Sequence, residues 1–171
     1  MLRTLILAPE QVYRTLNRLA REVLEHNRGE TDVAIFGIGH RGGKLSERFA
    51  EILSHVAQTP LSSEMLDVRN YRDDVGPGAR PPAPELNHAV EGKHVILVDD
   101  VLFTGRTARA ALDAIIHHGR PKSVQLVVLI DRGHRELPIR ADFLGVSLKT
   151  KHMEHVVVEA EQDFAVYVVE D

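Results

Sequence analysis

Apolar residues follow two rhythms along this chain. Val12, Leu16, Leu19 and Val23 recur at spacings of four, three and four, which is one face of a helix. Pro9-Glu10 opens that pattern and Asn27-Arg28-Gly29 closes it. The second rhythm is a set of short, nearly unbroken apolar runs. VAIFGIG (33–39), HVILV (94–98) and VQLVVLI (124–130) predict strands buried on both faces. Helices are predicted between them, from Gly42 to about Val56 and from Arg106 to His118, and Met65–Arg69 reads as a further short strand. HVVVEA and FAVYVVE predict two more strands in the last third. Residues 74–92 hold Gly76, Pro77, Gly78, Pro81, Pro82 and Pro84. Neither a helix nor a central strand tolerates that composition, so a flexible loop or extended arm is expected there. Strands alternating with helices imply βαβ units. The expected fold is α/β, one domain over residues 1–171, with a mainly parallel central sheet flanked by helices.

Composition narrows the function little. The chain has 171 residues, 43% hydrophobic and 27% charged, with a formal net charge of -4. That balance argues against a protein basic all over, but allows a local basic face. The absence of cysteine excludes disulfides and thiolate zinc sites. No apolar run approaches the roughly 18 residues that span a bilayer. The opening MLRTLILAPE is too short and too soon interrupted for a typical signal peptide. A cytoplasmic protein without membrane contact is expected.

In a parallel sheet, ligands bind beyond the carboxyl ends of the strands. That rule lines up Gly37–Gly43, Asp99–Thr107 and Asp131–Arg135 along one edge. The chemistry concentrates in VILVDDVLFTGRT (95–107). An apolar strand runs into two carboxylates, and a glycine-threonine turn then opens a helix. Unpaired amides at a helix N-terminus welcome an anion. Thr104 and Thr107 add hydroxyls, and Gly105 lets backbone approach a phosphate. Asp99 and Asp100 repel a bare phosphate, so they suit sugar hydroxyls or a divalent cation that bridges to a pyrophosphate. A phosphorylated sugar needs both halves. An N-capping Asp pair at the end of a core strand is the alternative for the two aspartates alone. A receiver-type phosphate-accepting pocket would need acids after the 33–39 strand, where Gly-Ile-Gly stands instead.

VILVDDVLFTGRT closely resembles the phosphoribosyl diphosphate (PRPP) motif of type I phosphoribosyltransferases. NYRDDV (70–75) and DRGHRELPIRADF (131–143) resemble signatures of the PyrR group, pyrimidine-operon attenuators that are also uracil phosphoribosyltransferases. The resemblance covers nearly the whole chain. It implies a type I phosphoribosyltransferase fold with a flexible loop over the site, and formation of UMP and pyrophosphate from uracil and PRPP. Asp99 and Asp100 would engage the ribose hydroxyls directly or through Mg²⁺, and Thr104, Gly105, Arg106 and Thr107 the 5-phosphate, with Val101 on the same wall. GIGHRGG matches the pyrophosphate loop, with Gly39, His40, Arg41 and Gly42 at its motif positions and Arg41 as pyrophosphate ligand. Gly39-His40 replaces the commoner Lys-Thr, one positive charge fewer. Arg72 would follow the pyrophosphate under the closing loop. Backbone near Ile130 and Arg132 would read uracil, and Val157 would close the pocket. The second implied activity is binding of an mRNA leader stem-loop, favoured by UMP or UTP in the PRPP site. Arg18, Arg21, His134, Arg135 and Arg140 would form its basic surface, away from the Asp99–Asp100 pocket and continued across a homodimer or homotetramer. A regulator with weak or lost catalysis and a purine phosphoribosyltransferase are the alternatives.

Overall fold

The computed structural model describes residues 2–170. In chain order its elements are β1 (Leu2–Leu7), α1 (Pro9–His26), β2 (Val33–Ile38), α2 (Gly39–Ala57), β3 (Ser63–Leu66), β4 (His94–Leu102), α3 (Arg106–His117), β5 (Ser123–Asp131), β6 (Phe143–Ser147), β7 (Glu154–Glu159) and β8 (Ala165–Glu170). Single 3₁₀ turns occupy Arg69–Tyr71 and Pro77–Ala79. Strands β3-β2-β4-β5-β6, in that order, form a wholly parallel sheet. A separate antiparallel sheet has the order β1-β8-β7.

The central strand explains why the apolar runs are unbroken. Along β4, Ile96 and Val98 pack on the α1–α2 side with Leu16, Leu19, Phe49 and Leu53. Val95 and Leu97 pack on the other side with Phe36, Ile115 and a row of small residues from α3, Ala108, Ala110, Ala111 and Ala114. Both faces are covered by helices, so no polar alternation is needed. The alanines let α3 lie close on the sheet. The antiparallel sheet joins the α1–α2 core through Val156, Val158 and Val166.

Several boundaries differ from the sequence reading. β1 and β6 were not expected. β4 extends through Asp99 and Asp100 to Leu102, so the two aspartates are strand residues and not turn residues. α2 begins at Gly39, not Gly42, so Gly39–Gly42 is the first turn of a helix. The 74–92 arm holds no long helix, but its last part is pinned. Glu64 accepts the amides of Asn87 and His88 at 2.8 Å each, Leu86 packs against the α3-side core, and Val90 is buried.

Candidate functional site

The β4–α3 turn is the centre of the strand-end edge. Gly105 takes φ +92°, the left-handed region that costs a side-chain-bearing residue energy, and a Cβ there would also press on Ile139 and Arg135. A second segment holds the turn in shape. The amides of Glu136 and Leu137 donate to the Thr104 carbonyl at 2.9 and 3.2 Å. Arg135 donates to the Phe103 carbonyl at 2.6 Å, to the Ile139 carbonyl at 2.6 Å and to Asp131 at 2.5 Å. Asp99, Val101, Thr104, Gly105, Arg106 and Thr107 line a cavity of about 280 Å³ above this turn.

Asp99 and Asp100 are both buried, at 7% and 8% exposure. Burial, and then the neighbouring Asp100 charge, push the Asp99 carboxyl well above the usual carboxylate range. Each carboxylate accepts the amide of the next residue, Asp100 N–H at 3.0 Å and Val101 N–H at 2.9 Å. The start of α2 crosses close by. A Cβ on Gly42 would stand 2.8 Å from the Val98 carbonyl and 3.4 Å from an Asp99 oxygen, so only glycine admits the helix end here.

A second cavity of about 390 Å³ lies on the α2 side, lined among others by Gly39, His40, Met65, Asp67, Arg69 and Thr107. The two cavities adjoin in one cleft at Arg72 and Thr107, which line both. Arg72 stands at the junction. It donates from Nη1 to the Thr107 hydroxyl at 3.0 Å, while Asp74 takes its Nε and Nη2 hydrogens at 2.8 and 2.7 Å. Asp73 reaches across to Arg106 at 2.5 Å and lies 3.8 Å from Arg109. Glu136 holds the other edge of Arg106 at 2.8 Å. Asp73, through Arg106, and Arg72, through Thr107, therefore latch the NYRDDV segment over the β4–α3 turn.

Most of the expected sugar-phosphate residues converge on this cleft: Asp99, Val101, Thr104–Thr107, Arg72, Gly39 and His40. Arg41 is exposed on the first turn of α2, outside the residues that line either cavity. Val157 faces away from the core, in register with Tyr167 between the inward Val156 and Val158, and lines neither cavity. Arg132 does not offer its backbone to a base in this conformation. Its amide donates to Leu102 at 3.0 Å and its carbonyl accepts the Thr150 hydroxyl at 3.3 Å. Its buried guanidinium stacks 4.1 Å from the centroid of Phe103 and donates to the Lys151 carbonyl, tying the parallel sheet to the segment before β7.

The expected basic surface divides. Arg18 donates to the Leu144 and Gly145 carbonyls, and His26 packs edge-on against Phe143, so α1 lies along the edge strand β6. Arg21 is exposed on that helix, and Arg140 is exposed three residues before β6. Arg135 is turned inward to the β4–α3 turn, with its side chain 22% exposed. His134, at φ +61°, bonds through Nε2 to the Thr150 carbonyl at 2.6 Å and packs its ring 4.0 Å from that of His152. Asp67 and Arg69 were missed from sequence, and Asp73 was read only as part of NYRDDV, without its bond to Arg106. Their signal was a cluster of charges just past a strand end on the binding edge.

A glycine turn after two buried carboxylates, next to a helix N-terminus and under a loop held on Arg106, is the arrangement expected of a phosphoribosyltransferase. The family described as Phosphoribosyl transferase domain matches residues 4–164. The hypoxanthine phosphoribosyltransferase of Trypanosoma cruzi shares the fold, with a TM-score of 0.76 at 16% identity over 98% of this chain and 96% of that one. Closer likeness comes from proteins named Bifunctional protein PyrR. That of Clostridium kluyveri is 48% identical over 94% of this chain and 92% of its own length. Those of Deinococcus radiodurans and Chloroflexus aurantiacus are 46% and 49% identical over 96% and 92% of this chain, and over 92% and 88% of their own lengths. The chain belongs to the PyrR family of phosphoribosyltransferases. Among the described residues no helix is long and apolar enough to cross a membrane.

Proposed function

We propose that this protein converts uracil and PRPP to UMP and pyrophosphate, and that it also binds a leader RNA hairpin in response to uridine nucleotides, as a cytoplasmic attenuator of pyrimidine genes. The cleft of two adjoining cavities carries the enzymatic reading. Its β4–α3 end offers amides and the Thr104 and Thr107 hydroxyls to the 5-phosphate, and its α2 end offers a helix N-terminus to the pyrophosphate. The ribose then lies over Asp99, whose carboxylate accepts a ribose hydroxyl.

The reaction forms a bond from uracil N1 to ribose C1 and breaks the bond from C1 to the pyrophosphate oxygen, and the N1 proton leaves. The chain's contribution is position and charge. The turn fixes the phosphate end, the α2 end receives the leaving group, and the Arg72–Asp74 loop covers the reacting carbon from water. Asp99 and Asp100 fit a hard divalent cation such as Mg²⁺. Among the described residues no group of three or more His, Cys, Asp or Glu side chains is gathered as a metal cage. A cation held by Asp99 and Asp100 would take its remaining ligands from substrate oxygens and water. When bound, Mg²⁺ neutralises charge on the departing pyrophosphate.

For RNA, the supporting feature is the seam of α1 and β6, which holds Arg18, with Arg21 exposed on the same helix and Arg140 exposed three residues before β6. Phosphate contacts from such a seam need no overall positive charge. A symmetric dimer or tetramer doubles the seam. Assaying PRPP-dependent UMP formation and UMP-dependent hairpin binding on one preparation tests both halves. Catalysis without RNA binding, or the reverse, removes the half that fails. Gly39-His40 in the pyrophosphate turn, in place of Lys-Thr and its fixed cation, favours a second reading in which regulation outweighs a weak enzyme.

A further inference from the structure

We propose that Arg69 supplies the fixed positive charge at the leaving-group end of the cleft. The inference rests on the phosphoribosyltransferase reading of that cleft and adds a binding residue to it. The α2-side cavity has three basic side chains on its wall, His40, Arg69 and Arg72, and Asp67 as an opposing carboxylate. A histidine carries at best a fraction of a charge near neutral pH. Arg72 has all three guanidinium nitrogens engaged, two on Asp74 and one on Thr107. Arg69 combines a permanent charge with the larger set of open donors, three hydrogens against two on Arg72. Asp67 takes one edge of its guanidinium, Nε at 3.0 Å and Nη2 at 2.6 Å. The Nη1 hydrogens and one Nη2 hydrogen remain for a second anion in the two-pronged geometry that suits phosphate oxygens.

The backbone under Arg69 is anchored. Val68 is buried, the Tyr71 amide donates to the Val68 carbonyl at 2.9 Å, and Tyr71 packs edge-on against His117 of α3 at 5.8 Å. Asp67 also accepts the Arg69 amide at 3.0 Å, so one carboxylate aims both the turn and the side chain. Arg69 itself is 70% exposed along its side chain and costs little packing to replace. Its loss would leave Asp67 as an unpaired carboxylate facing the pyrophosphate, so the penalty exceeds that of one missing cation.

The test is magnesium pyrophosphate binding by calorimetry, with PRPP kinetics and UMP binding on the same proteins. Arg69→Ala should weaken pyrophosphate binding and raise KM for PRPP about tenfold or more, the scale of a charge-assisted hydrogen bond. UMP lacks the pyrophosphate, so its affinity should stay within about twofold. Arg69→Lys should recover part of the loss, and Asp67→Asn added to Arg69→Ala should recover part of it too. Pyrophosphate binding unchanged in Arg69→Ala overturns the proposal, as does a parallel fall in UMP affinity, which would mark a merely structural role. Failure of wild-type protein to turn over PRPP would count against the enzymatic reading, while direct pyrophosphate binding still decides for or against Arg69.

Discussion

Asp73→Asn should tighten PRPP binding. In the conformation described here the Asp73 carboxylate lies on Arg106 at 2.5 Å and near Arg109 at 3.8 Å, at the first turns of α3 where the 5-phosphate is to bind. A phosphate and this carboxylate compete for the same cation. The partners are 37% and 41% exposed, so solvent screens them and the pair is worth about 0.5–1 kcal/mol rather than a buried-pair value. Converted to an equilibrium constant, that is about two- to fivefold. KM for PRPP and the UMP dissociation constant should both fall by that factor. The ratio of variant to wild type should shrink toward one as salt rises from 50 mM to about 0.5 M, because exposed pairs are screened beyond the Debye length. A KM that is unchanged, or higher in the variant at low salt, would refute the latch and assign Asp73 to the closed, substrate-bound state instead.

Three other outcomes are expected. Burial and the Asp100 charge raise the folded-state pKa of Asp99, so the folded protein holds that proton more tightly than the unfolded chain. The stability this gives is complete below the unfolded-state pKa and is lost as pH rises through the folded one, so Asp99→Asn should raise the melting temperature more at pH 8 than at pH 5; an equal effect at both would contradict it. Arg135→Ala removes three hydrogen bonds that shape the phosphate turn and should raise KM for PRPP and lower stability by about 1–3 kcal/mol in denaturant melts. Arg18→Glu with Arg21→Glu should weaken hairpin binding and flatten its salt dependence, measured by gel shift over a salt series, while UMP formation continues at the wild-type rate.

How far the sequence carries the structure depends on where each element gets its stability. The helix from Pro9 and the strand from His94 were legible because their burial patterns are local and periodic. β1 was not: four of its six residues are exposed, and its partner β8 lies at the other end of the chain. β6 is five residues long with a glycine in its middle, and β5 defines its pairing. The glycines of Gly39–Gly42 read as loop by propensity, yet close approach to β4 makes them the start of a helix. The same limit applied within the site. The PRPP motif announced Asp99 to Thr107, but charge type alone could not tell Arg135, committed inward, from Arg140, which is exposed. The latch between Asp73 and Arg106 joins residues 33 apart in sequence, and only the fold brings them together.

The most direct test of the PRPP site is UMP formation by wild-type protein and by the Asp99→Asn, Asp100→Asn double variant, with uracil, PRPP and Mg²⁺ present. Wild-type protein should release UMP and pyrophosphate in equal amounts. The double variant should stay folded and lose about a hundredfold or more of kcat/KM, since each carboxylate's charge-assisted bond to the ribose or its cation is worth about 1.5–3 kcal/mol. No UMP from wild-type protein, or a folded double variant that keeps its turnover within about twofold, would contradict the account.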